Sequence, residues 1–470
     1  MAKYTPTIGL EIHAELKTKT KMFCRSANDP HAGEPNTHIC PVCMAFPGTL
    51  PVINKSAVAH VLRVGAAIEG TVADYTEFDR KNYFYPDLPK GYQISQYKYP
   101  LISGGSLAGV EITRIHLEED TARSQHTHGA YSLVDFNRAG VPLMELVTEP
   151  VIHDAETASR FAQELQLLLR TLGVSDANME KGEMRVEANI SISKDATLGT
   201  KVEVKNLNSF KAMERAVAYE IERHTQVLEE GGTLVQETRG WDENSQSTFS
   251  QRMKEESHDY RYFPDPDLPK LKLSDIPEFN IDTLKADLPE LPWEKRERYT
   301  ALGVKEDDAV TLTLDRTFGA FFDAEVLART DDVQKIKTAT NYLLSDVRGS
   351  GMADALHNLE GGAFMELIDL VAENSVSSRG AKDILTEMLE KGGRAKSIAE
   401  ARNLMQVHDT EALRGYAQTV IKENPEVAEE LKQGKESVIQ FLIGQGMKVS
   451  KGAANPKELA TLIKEELGVQ

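Results

Sequence analysis

Residues 8–17 read IGLEIHAELK, and no other stretch restricts the fold as tightly. Leu10, Ile12, Ala14 and Leu16 alternate with Glu11, His13 and Glu15. A period of two is the strand period, so the apolar set faces a core while two carboxylates and an imidazole share the other face. At a rise of ~3.3 Å per residue, successive members of that polar set lie about 7 Å apart. Hard oxygen and nitrogen donors so placed suit a divalent cation. A solvated face with a surface ion pair is the alternative reading of this strand taken alone.

Other segments add to the polar face. Residues 110–120, VEITRIHLEED, form a second alternating strand that ends in Glu118, Glu119 and Asp120. Three adjacent carboxylates repel one another unless a cation compensates them, which makes this the second half of a metal site. By strand parity Glu118 lies with His116 and Asp120 while Glu119 faces away. A twist at the strand end would reverse that, so both stay candidates. Residues 132–150 contribute Asp135, Asn137, Arg138, Glu145 and Glu149. Residues 182–193 and 201–206 alternate again, with Glu183, Arg185, Glu187 and Asn189 on one side of the first and Lys201, Glu203 and Lys205 on one side of the second. Such a face reads either as a cradle for a charged ligand or as a salt-bridged solvent surface. Between these strands, residues 75–97 gather Arg80, Lys81, Tyr83, Tyr85, Lys90 and Tyr92 in a proline-punctuated loop. Cations beside aromatics suit a phosphate and a stacked base, unless the tyrosines merely pack.

Cys40 and Cys43 have C-x-x-C spacing, and Cys24 supplies a third thiolate. Structural zinc takes four ligands, and the nearest further candidates are His31 and His38; free thiols are the alternative. Three cysteines cannot close a disulfide framework, no apolar run approaches a membrane span, and no secretory leader precedes the first strand. The expectation is a cytoplasmic protein with no membrane contact. The net charge of −19 argues against binding nucleic acid by bulk electrostatics, so any RNA contact needs a local basic patch or a partner subunit.

Helical periodicity marks 54–70, 154–172 and a segment from about 209 to the glycines at 231 and 232. Residues 263–292 are rich in proline and aspartate and form the first boundary. Strands disappear beyond it. Helical patterns continue near 295–302, 317–329, 335–348, 364–373 and 379–391, a break falls near 401–409, and short helices follow. In that tail Lys448, Lys451 and Lys457 form a basic patch. The fold class is therefore α+β: a mixed cradle domain with a mainly antiparallel sheet over 1–292, a helical domain over 293–402 and a small helical tail over 403–470. The chain has no phosphate loop of the G-x-x-x-x-G-K-[ST] type, no G-x-G-x-x-G and no G-x-S-x-G elbow. A nucleoside triphosphate must then be held by metal, lysine or arginine and the sheet face.

Taken together, IGLEIHAELK, PNTHICPVC from Pro35, DRKNYFYPDLPK from Asp79, HLEED, DFNRAG from Asp135, LVTEP, KVEVKNLNSF from Lys201 and DYRYFPDPDLP from Asp259 closely resemble the B subunits of the aspartyl/glutamyl-tRNA amidotransferases. The tail resembles the small helical domain that this family shares with free-standing relatives. The resemblance implies a ligase that forms a carbon–nitrogen bond. ATP activates the side-chain carboxylate of Glu on glutamine tRNA, or Asp on asparagine tRNA, and ammonia converts the acyl-phosphate to an amide. It further implies an amidase (A) subunit that releases ammonia from glutamine, a small C subunit, the misacylated tRNA and the misacylating synthetase as partners, with ATP and Mg²⁺ as cofactors.

Under that resemblance Glu11, His13, Glu145 and one of Glu118 or Glu119 are the magnesium ligands, and Lys81 completes the catalytic set. Arg80, Lys81, Arg185 and Lys205 are candidates for the triphosphate, Tyr83 and Tyr85 for stacking the adenine or the terminal tRNA base, and the tail lysines for tRNA. Two departures stand out. Ser26 occupies the place of a second cysteine, leaving Cys24, Cys40 and Cys43 as an incomplete zinc site. Glu187 replaces an aspartate, which shifts its carboxylate outward by about one C–C bond, ~1.5 Å, and makes it a weak candidate as a direct ligand. The rival reading is a non-catalytic tRNA-docking scaffold, which has no need of the carboxylate–histidine cluster.

Overall fold

The computed structural model describes residues 4–125, 129, 131–195, 197–253, 260–349, 351–406, 410–450 and 454–469. Two compact units, Met1–Pro292 and Trp293–Gln470, make up the chain. The α+β class read from the sequence holds: one large sheet with helices, followed by helices alone.

The opening motif forms strand β1 (Thr5–Glu15), and along it Ile8, Leu10, Ile12 and Ala14 are buried while the intervening side chains are partly open. The elements around it are α1 (Lys55–Ala67), β2 (Asp79–Asn82), β3 (Tyr92–Ser95), β4 (Val110–Glu119), β5 (Pro142–Thr148), α2 (Ala155–Thr171), β6 (Met184–Ser193), β7 (Val202–Leu207), α3 (Phe210–Glu229), β8 (Glu237–Asp242), β9 (Ser247–Met253) and β10 (Phe263–Pro264). Among the described residues the main sheet has ten strands: it runs β9-β8-β7-β6-β1-β5-β4 before two short strands, Ile102–Ser103 and Thr71–Val72, and a third short strand, Ser106–Leu107, also pairs with β4. Its pairings are antiparallel except β7 with β8. The opening strand is thus central, bonded to β5 on one side and β6 on the other.

Side-chain caps start the three helices: Asn54 accepts from Ser56 N, Asp154 from Thr157 N and Ser209 from Ala212 N. Helix α1 crosses close to the sheet because Gly65 has no side chain; a Cβ there would lie 2.2 Å from Ile102 Cδ1. Residues 75–97 are more ordered than the sequence indicates, since β2 and β3 pair as a hairpin and β10 adds a third strand beside β2. The hairpin of β8 and β9 carries no clear sequence signal.

In the second unit, one core is built around Phe318, Phe322, Phe364, Ile368 and Leu385, and another around Leu413, Leu431, Leu442, Leu459 and Ile463. The periodic stretches at 317–329 and 335–348 do become helical, but each passes into wider π-type turns, at Phe322–Leu327 and Tyr342–Arg348. Among the described residues no helix is long and apolar enough to cross a membrane.

Candidate active site

Register explains why the polar residues meet. His13 stands opposite Glu145 of β5, and Glu145 stands opposite His116 of β4. On the other flank His13 faces Arg185 of β6. Residues directly opposite in antiparallel strands project from the same face, so this row crosses four strands on one side of the sheet. His13 Nε2 lies 3.4 Å from a Glu145 oxygen, 3.6 Å from Glu118 and 3.9 Å from Glu11. His116 Nε2 is 3.4 Å from Glu145. One donor atom each from Glu11, His13 and Glu145 falls within 4.8 Å of the others, and the same is true of His116, Glu118 and Glu145.

Burial and close charges perturb Glu11, His13 and Glu145 in this cluster. Burial opposes the charged form of His13, but its hydrogen bond to Glu145 and the charges of Glu145, Glu118 and Glu11 outweigh that and raise it to about 9. Burial would also raise Glu145, yet His116 and His13 hold it well below the ordinary carboxylate range. Glu11 is pushed up by burial and by the neighbouring Glu145. One oxygen of Glu118 and Nδ1 of His116 are buried with no protein hydrogen-bond partner. Buried carboxylates gathered around imidazoles, with such an oxygen left over, fit a divalent ion that takes oxygen and nitrogen ligands.

The pairing of β4 with β5 stays in register to the strand end, so Glu118 and Glu119 part. Glu118 joins the cluster, whereas Glu119 points to the opposite face and is bound there by Lys90 at 2.7 Å and by Ile94 N at 2.9 Å. Arg80 is likewise not brought to the cluster. Arg80 and Lys81 are consecutive on β2 and face opposite ways; Arg80 donates to Asp265 at 2.8 Å and Asp267 at 2.9 Å. Lys81 does reach the cluster's field: burial works against its ammonium, but Glu118 and Glu145 raise its pKa above that of a free lysine. Arg185 donates to Asp120 at 2.8 Å, and Lys205 lies 2.8 Å from Glu187, so both cations are already paired. Tyr83 donates to Gln93 at 3.2 Å, while Tyr85 is exposed at the hairpin tip.

Two residues join the site that the sequence did not single out as ligands, His116 and Glu203. Glu187, a weak candidate from the sequence, forms with Glu203 and Glu11 a further set of oxygen donors within 4.8 Å. Their alternation is visible in the sequence; which strand lies beside which is not, and only the β1–β6–β7 order brings them together.

The sulfur atoms of Cys24, Cys40 and Cys43 also lie within 4.8 Å of one another. Ser26 Oγ is 3.8 Å from Cys43 Sγ, and the ammonium of fully buried Lys21 is 3.9 Å from the same sulfur. Neither histidine completes the set: His31 turns to Glu183 at 3.5 Å and His38 to the Asp29 carbonyl at 3.3 Å. In the tail, Lys448 is exposed in the last turn of the helix Ile439–Val449, and Lys457 is exposed in the first turn of Pro456–Leu467. Lys451 lies outside the described residues.

Residues 6–276 match the family described as GatB/GatE catalytic domain, and residues 320–467 match that described as GatB domain. The chain is 45% identical to the B subunit of the aspartyl/glutamyl-tRNA(Asn/Gln) amidotransferase of Thermus thermophilus, over 99% of this chain and 100% of that protein. It is 43% identical to the protein of the same name from Synechocystis, over 98% and 97%, and 42% identical to that of Thermoanaerobacter pseudethanolicus, over 99% of each. Both family matches and near end-to-end identity thus surround the sheet whose polar face carries the cluster, and the chain belongs to the family of aspartyl/glutamyl-tRNA(Asn/Gln) amidotransferase B subunits.

Proposed function

We propose that this chain carries the ATP-dependent activation and amidation of a misacylated tRNA, Glu-tRNA(Gln) or Asp-tRNA(Asn), within a complex whose amidase subunit supplies ammonia and whose small third subunit joins the two. The observation that supports this most directly is the row of His13, Glu145 and His116 with Glu11 and Glu118 around it. A tRNA-docking scaffold has no use for it.

Glu11, His13, Glu118 and Glu145 would hold magnesium, which when bound neutralises phosphate charge and orients the triphosphate. Glu187 and Glu203 extend the oxygen donors on the far side of Glu11. Lys81, the cation already drawn to Glu118 and Glu145, meets the transferred phosphoryl group. The substrate's side-chain carboxylate oxygen bonds to the γ-phosphorus while the bond to the β–γ bridging oxygen breaks and ADP leaves. Ammonia then bonds to the acyl carbon, and phosphate leaves with the surplus proton. Arg185 and Lys205 reach the phosphates only by exchanging Asp120 and Glu187 for them, and Tyr85 is open to stack the adenine or the terminal tRNA base. The work is divided as 1–292 for chemistry, 293–402 as a helical domain and 403–470 for tRNA, in a cytoplasmic complex that also meets the misacylating synthetase. The test is a reconstituted complex assayed for ATP cleavage with each misacylated tRNA. Cleavage that is independent of tRNA, or absent with both, overturns the proposal.

Truncation after about residue 407 removes Lys448, Lys451 and Lys457 and should weaken tRNA binding and amidation while glutamine hydrolysis by the partner stays measurable. Filter binding and amidation assays decide it; a truncated complex that bound and processed tRNA like the intact one would make the tail a passenger. At the cysteines, three thiolates with Ser26 at the remaining corner hold zinc weakly, because a hydroxyl is a far poorer ligand for it than a thiolate. Purified protein should contain well under one zinc per chain, and Ser26→Cys should raise that content. Full occupancy without the substitution would overturn the weak-site reading.

A further inference from the structure

Arg80 is held in a way that a phosphate ligand would not be. Its Nε donates to Asp265, whose side chain is completely buried, and its terminal nitrogen donates to Asp267. The guanidinium plane also lies 4.3 Å from the centre of the Tyr92 ring and 5.8 Å from that of Phe263. One side chain thus spans two carboxylates and two aromatic rings, a task suited to a planar fork of donors and not to a point charge.

What Arg80 fastens is a strap, residues 260–269, laid along β2. Phe263 and Pro264 pair with Arg80 and Asp79, and Asp265 N donates to Phe78 O at 2.8 Å. Asn82 donates to the carbonyls of Tyr260 and Arg261 at 3.2 and 2.9 Å, and Arg261 is bent into the left-handed region at φ +45°. The strap carries two tyrosines to the side of β2 where Lys81 points. The Lys81 ammonium is 5.0 Å from the centre of the Tyr260 ring. Tyr262 stacks on Tyr97 with centroids 4.4 Å apart and planes 13° apart, and Tyr260 meets Tyr83 edge-on at 6.0 Å. Burial, together with Glu118 and Glu145, raises the Tyr262 hydroxyl above its ordinary pKa.

We infer that Arg80 is a positioning residue: through Asp265 and Asp267 it buckles the 260–269 strap to the β2–β3 hairpin, and so holds Tyr260 and Tyr262 as a wall against which Lys81 is fixed. The inference rests on the proposed phosphoryl-transfer reading for its kinetic consequences, but not for the buckle itself. Fixing a cation matters because a displacement of about 1 Å in a phosphoryl-transfer site costs on the order of 10²-fold in rate.

Arg80→Lys, Asp265→Asn and the double variant are compared in the reconstituted complex. Arg80→Lys keeps the positive charge but loses the fork. It should lower kcat for tRNA-dependent ATP cleavage by about 10- to 100-fold and leave KM for ATP within about twofold. Asp265→Asn should behave alike, and the double variant should be no worse than the poorer single one, since both break one connection. Limited trypsin digestion of the same complexes gives a readout independent of activity: a single new cut after Arg261 should appear about tenfold faster in each variant, as cleavage follows the opening of the strap. A triphosphate ligand behaves otherwise: Arg80→Lys raises KM for ATP, and Asp265→Asn is close to normal because it frees the guanidinium. That outcome overturns the inference, as does a fully active Arg80→Lys complex. Accelerated digestion at many sites in place of one assigns Arg80 to general stability and overturns it too. Should the unmodified complex cleave no ATP with any tRNA, the proposed function fails while the cut at Arg261 still tests the buckle.

Discussion

His13→Ala should reduce tRNA-dependent ATP cleavage by about 10³-fold, as expected when a central group that organises transition-state charge is lost. His13 lies between Glu145, Glu118 and Glu11, and its removal leaves three carboxylates with less to compensate them, so magnesium should bind more weakly as well. The fold should persist, because the side chain leaves the sheet on the face opposite Leu10, Ile12 and Ala14, which are buried. Glutamine hydrolysis by the proposed amidase partner should continue at its basal level, since the proposal puts that chemistry in another chain. ATP hydrolysis, amidated tRNA and glutamate release are measured on one preparation, with circular dichroism as the folding control. A folded His13→Ala complex that amidates tRNA at the normal rate would take the central strand out of the chemistry.

The second large effect is on stability. Glu220 of α3 is fully buried; it accepts hydrogen bonds from Arg223 at 2.8 and 2.9 Å and a short one from Thr248, with His224 Nε2 3.0 Å and Arg239 Nε 3.3 Å from its oxygens. Its carboxylate is the hub that ties α3 to the β8–β9 hairpin. Glu220→Gln leaves the Arg223 guanidinium without its counter-charge and Arg239 with Glu237 alone, and should cost about 3–5 kcal/mol. The loss is read as a lower first thermal transition of the full chain and faster hydrogen exchange over 237–253. A change within about 1 kcal/mol would mean that the network relaxes around the amide. Burial pushes the Glu220 carboxyl up, but the bonds from His224, Arg223 and Thr248 prevail and hold it down to about 2, against 4.5 for a free side chain. A depressed carboxyl stabilises the fold fully above the unfolded value, so this contribution, about 3 kcal/mol, is present above pH 4.5 and fades as pH falls toward 2.

Period along the chain reveals some of this architecture and is blind to the rest. Alternation identifies β1, β4 and β6, and parity puts Glu118 and Glu119 on opposite faces, as they are. Parity is a local property. Adjacency is not: Glu187 and Glu203 join Glu11 because β6 and β7 lie next to β1, and no count of residues along the chain displays that. Arg80 shows the same gap from the other side. As a cation in a tyrosine-rich stretch it resembles a phosphate ligand, yet its two carboxylate partners lie 185 and 187 residues further on. The β8–β9 hairpin is hard to see because its sequence, ETRGWD followed by STFSQRM, carries few apolar residues to mark a period.

The place of β1 has a consequence for how the molecule is made. The strand leaves the ribosome before either of its two neighbours, which span Pro142–Thr148 and Met184–Ser193. At about 5–20 residues per second, it waits roughly 10–40 s for the second of them. During that interval both of its edges lack their native partners, the condition in which strands of different chains pair wrongly. Glu11 and Glu15 then serve before there is any chemistry to perform. Two such strands laid together crowd like charges along one face, which disfavours their association, and the same carboxylates are released from that duty only when Glu145, Arg185 and Glu187 arrive. Glu11, proposed to hold the catalytic cation, thus also sets like charge against like charge wherever two copies of the nascent strand meet.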